Sequence, residues 1–441
     1  METFIGIGPR AADAPISRRG LIRSGVAAGF AAAIGQRGAF AADAEAKLKV
    51  GFISPRTGAL AGFGETDGYI LELVRKALAP GLKAGDKTYA VDILDRDTQS
   101  DPARAGQLAK TLINSDQIDM MLVVSTPETI NPVADACEAA GVPCLSTVMP
   151  WEAWYFGRGA KPGQPSPFKW TYHFGFGGGE FFRAYVSQWN LIPTNKKVGV
   201  LYPNDADGNA IRENLAPALG KAGFTIIDPG PYEDGTTDFS AQIAKFKAEK
   251  CEIFNTFPIP PDFAAFWRQA AQQGYTRMVK IAQIAKTGLF PSQVEALGSL
   301  GYNLSSAAYW HKAFPYKSPL TGVGGEELAD GYEKASGKQW TQQLGASMSV
   351  FDAGFAALMA SGAPTNKSAV AKALSTLKTT TMVGKVDFTS GPVPNVSPGP
   401  IIGTQWVKAP AGSRFKLAYP VTENATDQNV PVSAKLIPFN G

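Results

Sequence analysis

The chain has 441 residues, more than one hydrophobic core usually supports, so at least two compact lobes are expected. Its 42 basic and 38 acidic side chains give a net charge of +4, but residues 1–41 hold five arginines and two acids, leaving 37 basic against 36 acidic and no basic patch suited to nucleic acid. Three cysteines and two histidines exclude a disulfide framework and a Cys/His zinc site.

Taken in chain order, the first feature is an export leader. Ser17-Arg18-Arg19-Gly20-Leu21-Ile22-Arg23 fits a twin-arginine pattern, an apolar small-residue run follows from Gly25 to Ile34, and Ala39-Phe40-Ala41 fits a signal-peptidase site. The run is shorter than the roughly 20 residues that span a bilayer. Gly25, Gly29 and Gly35 disfavour a stable helix in water. The leader predicts cleavage near Ala41-Ala42 and a soluble protein outside the cytoplasm.

From Lys47 short β-branched runs alternate with amphipathic segments, the pattern of a parallel sheet with crossover helices. Strands are predicted at Leu48–Ser54, Tyr89–Asp95, Met120–Val124 and Val142–Ser146, with helices near 64–77, Pro102–Ile113 and Thr129–Ala140. Asp101 before Pro102 is an N-cap followed by proline at the first helical position, and Gly141 stops the third helix. Cys137 and Cys144 fall on a helix and the next strand and read as a free buried pair, with a bridge as the alternative. A Gly- and Pro-rich loop from Arg158 to Pro167 breaks the rhythm, which then restarts. The second set has strands at Lys197–Tyr202, Phe224–Ile227, Glu252–Thr256 and Met278–Ala282, and helices near 206–222, 238–250 and 261–274. Residues 324–377 read as three helices, the middle one with Met and Phe spaced for core packing. Three short strands end the chain, around Val383–Phe388, Ile401–Val407 and Phe415–Tyr419, in a proline-interrupted tail read as an irregular cap on the second lobe.

The fold class is therefore α/β, with two doubly wound parallel-sheet lobes. Lobe 1 is expected at 47–172 plus about 312–377, and lobe 2 at 177–306 plus about 383–441. Hinges are expected near 171–176, 307–311 and 378–383. In open parallel sheets ligands bind beyond the carboxyl ends of the strands, where loops and helix N-termini present unpaired N–H groups. Here those loops are 54–64, 125–129, 147–154, 204–209 and 257–261.

Five blocks carry a resemblance: Lys49–Gly64 (KVGFISPRTGALAGFG), Asp95–Arg104 (DRDTQSDPAR), Ala139–Pro143 (AAGVP), Tyr232–Phe239 (YEDGTTDF) and Phe266–Ala271 (FWRQAA). In this order they resemble the branched-chain amino-acid binding proteins of ABC importers. The resemblance implies a type I periplasmic-binding fold with three crossover strands, closing on a small-molecule solute and docking as a monomer on an inner-membrane permease, with no cofactor. It implies a ligand carboxylate held near Ser125, Thr126 and Thr129 and near Ser146, Thr147, Val148 and Met149, under an aromatic at Phe63.

Two departures from the family's pattern narrow the solute. Asp207, before Gly208, stands where the family places an aromatic. Gln283-Ile284-Ala285-Lys286 contains no acid where the family places the partner of an α-ammonium group. An unpaired buried charge costs roughly 3–5 kcal/mol, so an amino-acid ligand would need Asp205, Asp207 or Glu128 instead. Meanwhile the cleft loops and crossovers are heavily aromatic: Trp151, Trp154, Tyr155 and Phe156, then Phe257 with Ile259, then Tyr309, Trp310 and His311. The expected solute is an apolar or aromatic carboxylate, with an aliphatic amino acid as the alternative; simple packing of the interlobe rim is the competing account of these aromatics. His173 and His311 both fall in crossovers, where structural use is expected. No G-x-S-x-G elbow, P-loop or H-E-x-x-H occurs, and Gly175–Gly179 lacks dinucleotide-loop spacing, so a binder is expected and a secreted hydrolase is the weaker alternative.

Overall fold

The computed structural model describes residues 46–257 and 260–440. The leader and Ile259 lie outside the described residues. The first run of elements is β1 (Ala46–Ser54), α1 (Asp67–Leu78), β2 (Leu82–Ala84), β3 (Lys87–Asp97), α2 (Pro102–Asn114), β4 (Met120–Val124), α3 (Pro127–Ala140), β5 (Cys144–Thr147), α4 (Trp151–Tyr155) and β6 (Thr171–Gly175). The second is α5 (Gly178–Trp189), β7 (Lys197–Leu201), α6 (Ala206–Lys221), β8 (Thr225–Ile227), α7 (Ser240–Ala248), β9 (Ile253–Thr256), α8 (Pro260–Gln272), β10 (Ile281–Ile284), α9 (Pro291–Glu295) and β11 (Leu304–Ala308). Then come α10 (Gly325–Ser336), α11 (Gln343–Ala360), α12 (Lys367–Ser375), β12 (Lys378–Thr381), β13 (Gly384–Asp387), β14 (Val396–Pro398), β15 (Ile402–Lys408), β16 (Leu417–Ala418) and β17 (Val421–Glu423).

Among the described residues, one sheet runs β14-β6-β5-β4-β1-β3-β2 and is parallel except at its β2 edge. The other runs β16-β15-β11-β10-β9-β7-β8, parallel from β11 to β8, with β15 antiparallel to β11 and also paired to β17. Strands covered by helices on both faces lose the polar alternation, which is why β4 is buried at every position. Phe52, Leu122 and Leu145 pack into the larger core on one face of the first sheet, while Ile53, Val123 and Cys144 pack into a separate core on the other. Cys137, Cys144 and Cys251 are free and buried.

The caps behave as their chemistry requires. Asp101 accepts the Arg104 N–H at 2.7 Å at the start of α2, and Gly141 ends α3 with φ 66°. The Met- and Phe-rich helix α11 is buried nearly all round, with Phe351 on Phe52 at 4.9 Å between ring centroids.

Three readings need correction. The strand expected at 278–282 is β10, three residues later. The Met278 and Val279 N–H groups are held in turns by Tyr275 and Thr276, so Gln283 and Ile284 are strand residues and Lys286 follows the strand end. The aromatic run after β5 is not a loop but the short helix α4. The tail does not all belong with the second sheet. β14 pairs with β6, Val396 beside His173, and its terminal Pro398 sits where a missing N–H is tolerated. The last passage between the sheets is therefore at 399–401, where the Gly399 N–H bonds Gly175 O at 2.7 Å, and not at 378–383, which turns through the β12–β13 hairpin.

Candidate functional site

The carboxyl ends of both sheets converge on one cavity. From the first sheet it receives Phe63 after β1, Ser125 and Thr126 after β4, and Val148 and Pro150 after β5. Phe176 and Tyr309 come from the connections after β6 and β11, and Ala307 from the end of β11 itself. From the second lobe come Phe181 on α5, Asp207 on α6, Phe257 after β9, and Ala285, Lys286 and Leu289 after β10. About 480 Å³ lies between the atoms of this cleft, but only about 40 Å³ can hold the centre of a water molecule. The lobes thus lie close together around this space.

Five of the fourteen lining residues are aromatic. Phe176 stacks on Tyr309 at 5.3 Å, Phe181 meets Phe257 edge-on at 5.1 Å, and Phe63 meets Phe290 edge-on at 5.0 Å. Such contacts fix ring orientation by the quadrupole geometry of aromatic pairs. Gly177 carries the chain past this wall: a Cβ there would lie 2.1 Å from the Trp151 ring, so no larger residue fits without displacement.

The polar groups fall on the two opposite sheets. On the first, Ser125 Oγ and Thr126 Oγ1 are buried with no hydrogen-bond partner among the described residues, at the N-terminus of the 14-residue helix α3. Two unpaired hydroxyls beside a helix N-terminus suit an anionic oxygen. On the second, Lys286 Nζ lies 2.9 Å from both Asp205 Oδ2 and Asp207 Oδ2. Asp205 also caps α6, its Oδ1 accepting the Gly208 N–H at 2.6 Å. Burial works against the charge of Lys286, but Asp207, Asp205 and Glu128 outweigh it and hold the ammonium well above the ordinary lysine range. Burial raises Asp207 to about 6; Lys286 opposes this rise while Asp205 and Glu128 add to it.

Of the residues singled out from sequence, the cavity brings together Phe63, Ser125, Thr126, Val148, Asp207 and Phe257. Asp205 stands one shell back, holding Lys286. The others lie elsewhere. The Thr129 N–H is spent on Thr126 O at 3.0 Å, and Thr147 faces a smaller space with Phe174 and Val383. Met149 packs into the core on the far face, its carbonyl 3.0 Å from His173 Nε2. In α4, Trp151 packs on Phe156, and Trp154 stacks on His173 at 5.5 Å with Arg158 over its ring, so this aromatic run serves the first lobe's own core. Trp310 turns away from the cleft onto Gly345 and Trp340. His311 Nδ1 accepts the Ala313 N–H and Nε2 donates to Tyr419 O at 2.7 Å; burial pushes it down to about 4. Burial likewise pushes His173 to about 3. Both imidazoles are therefore neutral and structural near pH 7, and neither lines the cavity.

Sequence reasoning missed Phe176, Phe181, Lys286 and Leu289 as lining residues, and it named Tyr309 only beside Trp310 and His311, of which Tyr309 alone lines the cavity. Lys286 had a signal, a base where the resemblance implies an acid. Tyr309 and Trp310 are adjacent, and which of them faces the cleft depends on how the chain leaves β11. Among the described residues, no group of three or more His, Cys, Asp or Glu is placed to hold a metal, and no helix is long and apolar enough to cross a membrane.

A family model described as periplasmic binding protein matches residues 47–395. The chain belongs to the periplasmic binding protein family. Among curated relatives of this binding protein, the Leu/Ile/Val-binding protein homolog 3 of Brucella melitensis is 25% identical over 357 residues, which is 78% of this chain and 86% of the relative. A leucine binding protein of Thermotoga maritima superposes with a TM-score of 0.68 at 16% identity, covering 86% of this chain and 99% of its own. A solute binding protein of an ABC transporter from R. palustris, solved in complex with 4-hydroxybenzoate, superposes with a TM-score of 0.69 at 18% identity, covering 87% and 98%. At such identities the solved structures speak to fold, and the fold is the two-lobed type I arrangement.

Proposed function

We propose that this periplasmic binding protein is the solute-binding component of an ABC importer and closes its lobes on a small carboxylate with an apolar or aromatic body. The observation that carries the reading is the pairing of two unpartnered hydroxyls, Ser125 and Thr126, with walls of Phe63, Phe176, Phe181, Phe257 and Tyr309 in one cavity. Burying a ring of roughly 150–250 Å² at about 25 cal/mol/Å² contributes about 4–6 kcal/mol, enough to anchor an apolar body. The solute touches both lobes only when they are closed, so its differential affinity shifts the open and closed populations, and the closed form docks as a monomer on the permease. The solute leaves unchanged. An aliphatic amino acid is the second reading, favoured by the name of the Brucella relative and by Asp207 Oδ1, an acceptor that an ammonium group would suit.

Titration calorimetry with benzoate and with leucine tests the choice. Benzoate is expected to bind, and Thr126→Val to weaken it roughly tenfold by removing a hydrogen bond to a charged oxygen. Binding of leucine with none of benzoate would overturn the carboxylate reading in favour of the amino acid.

Delivery by the twin-arginine leader implies export of an already folded chain. Exchanging Arg18 and Arg19 for lysine together is expected to leave the precursor uncleaved inside the cell, as read by fractionation and blotting. Normal processing of that variant would point to general secretion instead.

A further inference from the structure

The second-lobe end of the cavity has a donor and acceptor pattern of its own. Asp205 accepts from Lys286 at Oδ2 and from its helix-capping N–H at Oδ1, and it does not line the cavity. Asp207 gives Oδ2 to Lys286, while Oδ1 is buried with no donor among the described residues. Lys286 carries three N–H groups and spends two on these carboxylates. Asp207 and Lys286 both line the cavity, so its second-lobe end presents one acceptor and one donor side by side. A group that only donates, such as ammonium, would satisfy Asp207 but stand against the Lys286 charge. A group that only accepts would face an unpaired carboxylate oxygen. A hydroxyl, which donates and accepts at once, suits both.

Resting on the carboxylate reading above, we propose that the solute carries a hydroxyl at the end remote from its carboxylate, donating to Asp207 Oδ1 and accepting from Lys286 Nζ. A site built around a substrate hydroxyl discriminates strongly against the analogue that lacks it, because the buried polar partners are then left unpaired.

The test compares 4-hydroxybenzoate, 4-fluorobenzoate and benzoate by calorimetry on the full mature chain. Fluorine is close to hydroxyl in size but cannot donate. The hydroxy compound is expected to bind at least tenfold more tightly than the fluoro compound. In Asp207→Asn, whose amide oxygen would stay on Lys286 and turn its NH₂ to the cavity, this ratio is expected to fall to within about threefold. Equal affinity of the hydroxy and fluoro compounds for the unsubstituted protein would overturn the hydroxyl and leave the ring carboxylate standing. A hydroxyl preference that survives Asp207→Asn would overturn the assignment to Asp207. Failure of all three compounds where leucine binds would overturn the carboxylate reading and this inference with it.

Discussion

Lys286→Met is expected to destabilise the protein by roughly 3–5 kcal/mol, read from thermal or urea unfolding, because it strands two buried carboxylates beside one another. The Asp205 and Asp207 side chains are only 11% and 6% exposed, and each loses its 2.9 Å contact with the ammonium. The loss should shrink as the pH is lowered and the carboxylates take up protons. Adding Asp205→Asn and Asp207→Asn to Lys286→Met should recover most of the stability, since a neutral set no longer carries uncompensated charge and Asn still caps α6. A loss below about 1 kcal/mol in the single variant would show that the three groups reach water more freely than their burial indicates.

The second large effect is on the dependence of stability on pH. Asp67 is fully buried at the start of α1, with the Ser347 hydroxyl donating to Oδ1 at 2.8 Å and no donor on Oδ2 among the described residues. Burial raises it from 3.8 to about 7, with the nearby Ser54 and Ser347 hydroxyls and the Arg56 charge opposing. Between those values the folded chain holds a proton that the unfolded chain has released. Its contribution is therefore fully present below pH 3.8 and is lost as the pH rises towards about 7. The loss is about 1.4 kcal/mol per pH unit for each such group. Asp352 and Glu152, also raised to about 7 by burial, act in the same direction. Asp67→Asn is expected to remove one such slope, so that it gains on the unsubstituted protein between pH 5 and pH 7 in unfolding experiments. Parallel stability curves for the two proteins over that range would mean that Asp67 stays ionised when folded.

Much of the frame was legible because it depends on local pattern. The apolar run of β4, the Asp101-Pro102 start of α2 and the Gly141 stop of α3 each state their structure within a few residues. Seven residues before β10 and the proline-rich tail were harder. The turn at Tyr275–Val279 displaces the strand start, and β14 takes only three residues to rejoin a sheet the chain had left more than 200 residues earlier. Such long-range pairings depend on which sheet edge is open, and no local pattern records that.

The cavity divides along the same line. Ser125, Thr126 and Asp207 sit at strand ends or helix starts, where topology alone directs residues towards the cleft. The aromatic residues do not follow this rule. Trp154 and Trp310 are as apolar as Phe181 and Tyr309, yet the first pair is spent on packing within the protein and the second lines the site. By itself, then, the sequence determined two parallel-sheet lobes, pointed to the carboxyl ends of the strands as the place to expect a solute, and put a base where the resemblance implies an acid. Only the tertiary structure decided which rings line the cavity and that Lys286 is clamped by two aspartates, with Asp207 Oδ1 left without a donor among the described residues. The reason is physical: side-chain direction at a crossover, and the sharing of a buried charge, are set by neighbours distant in the chain.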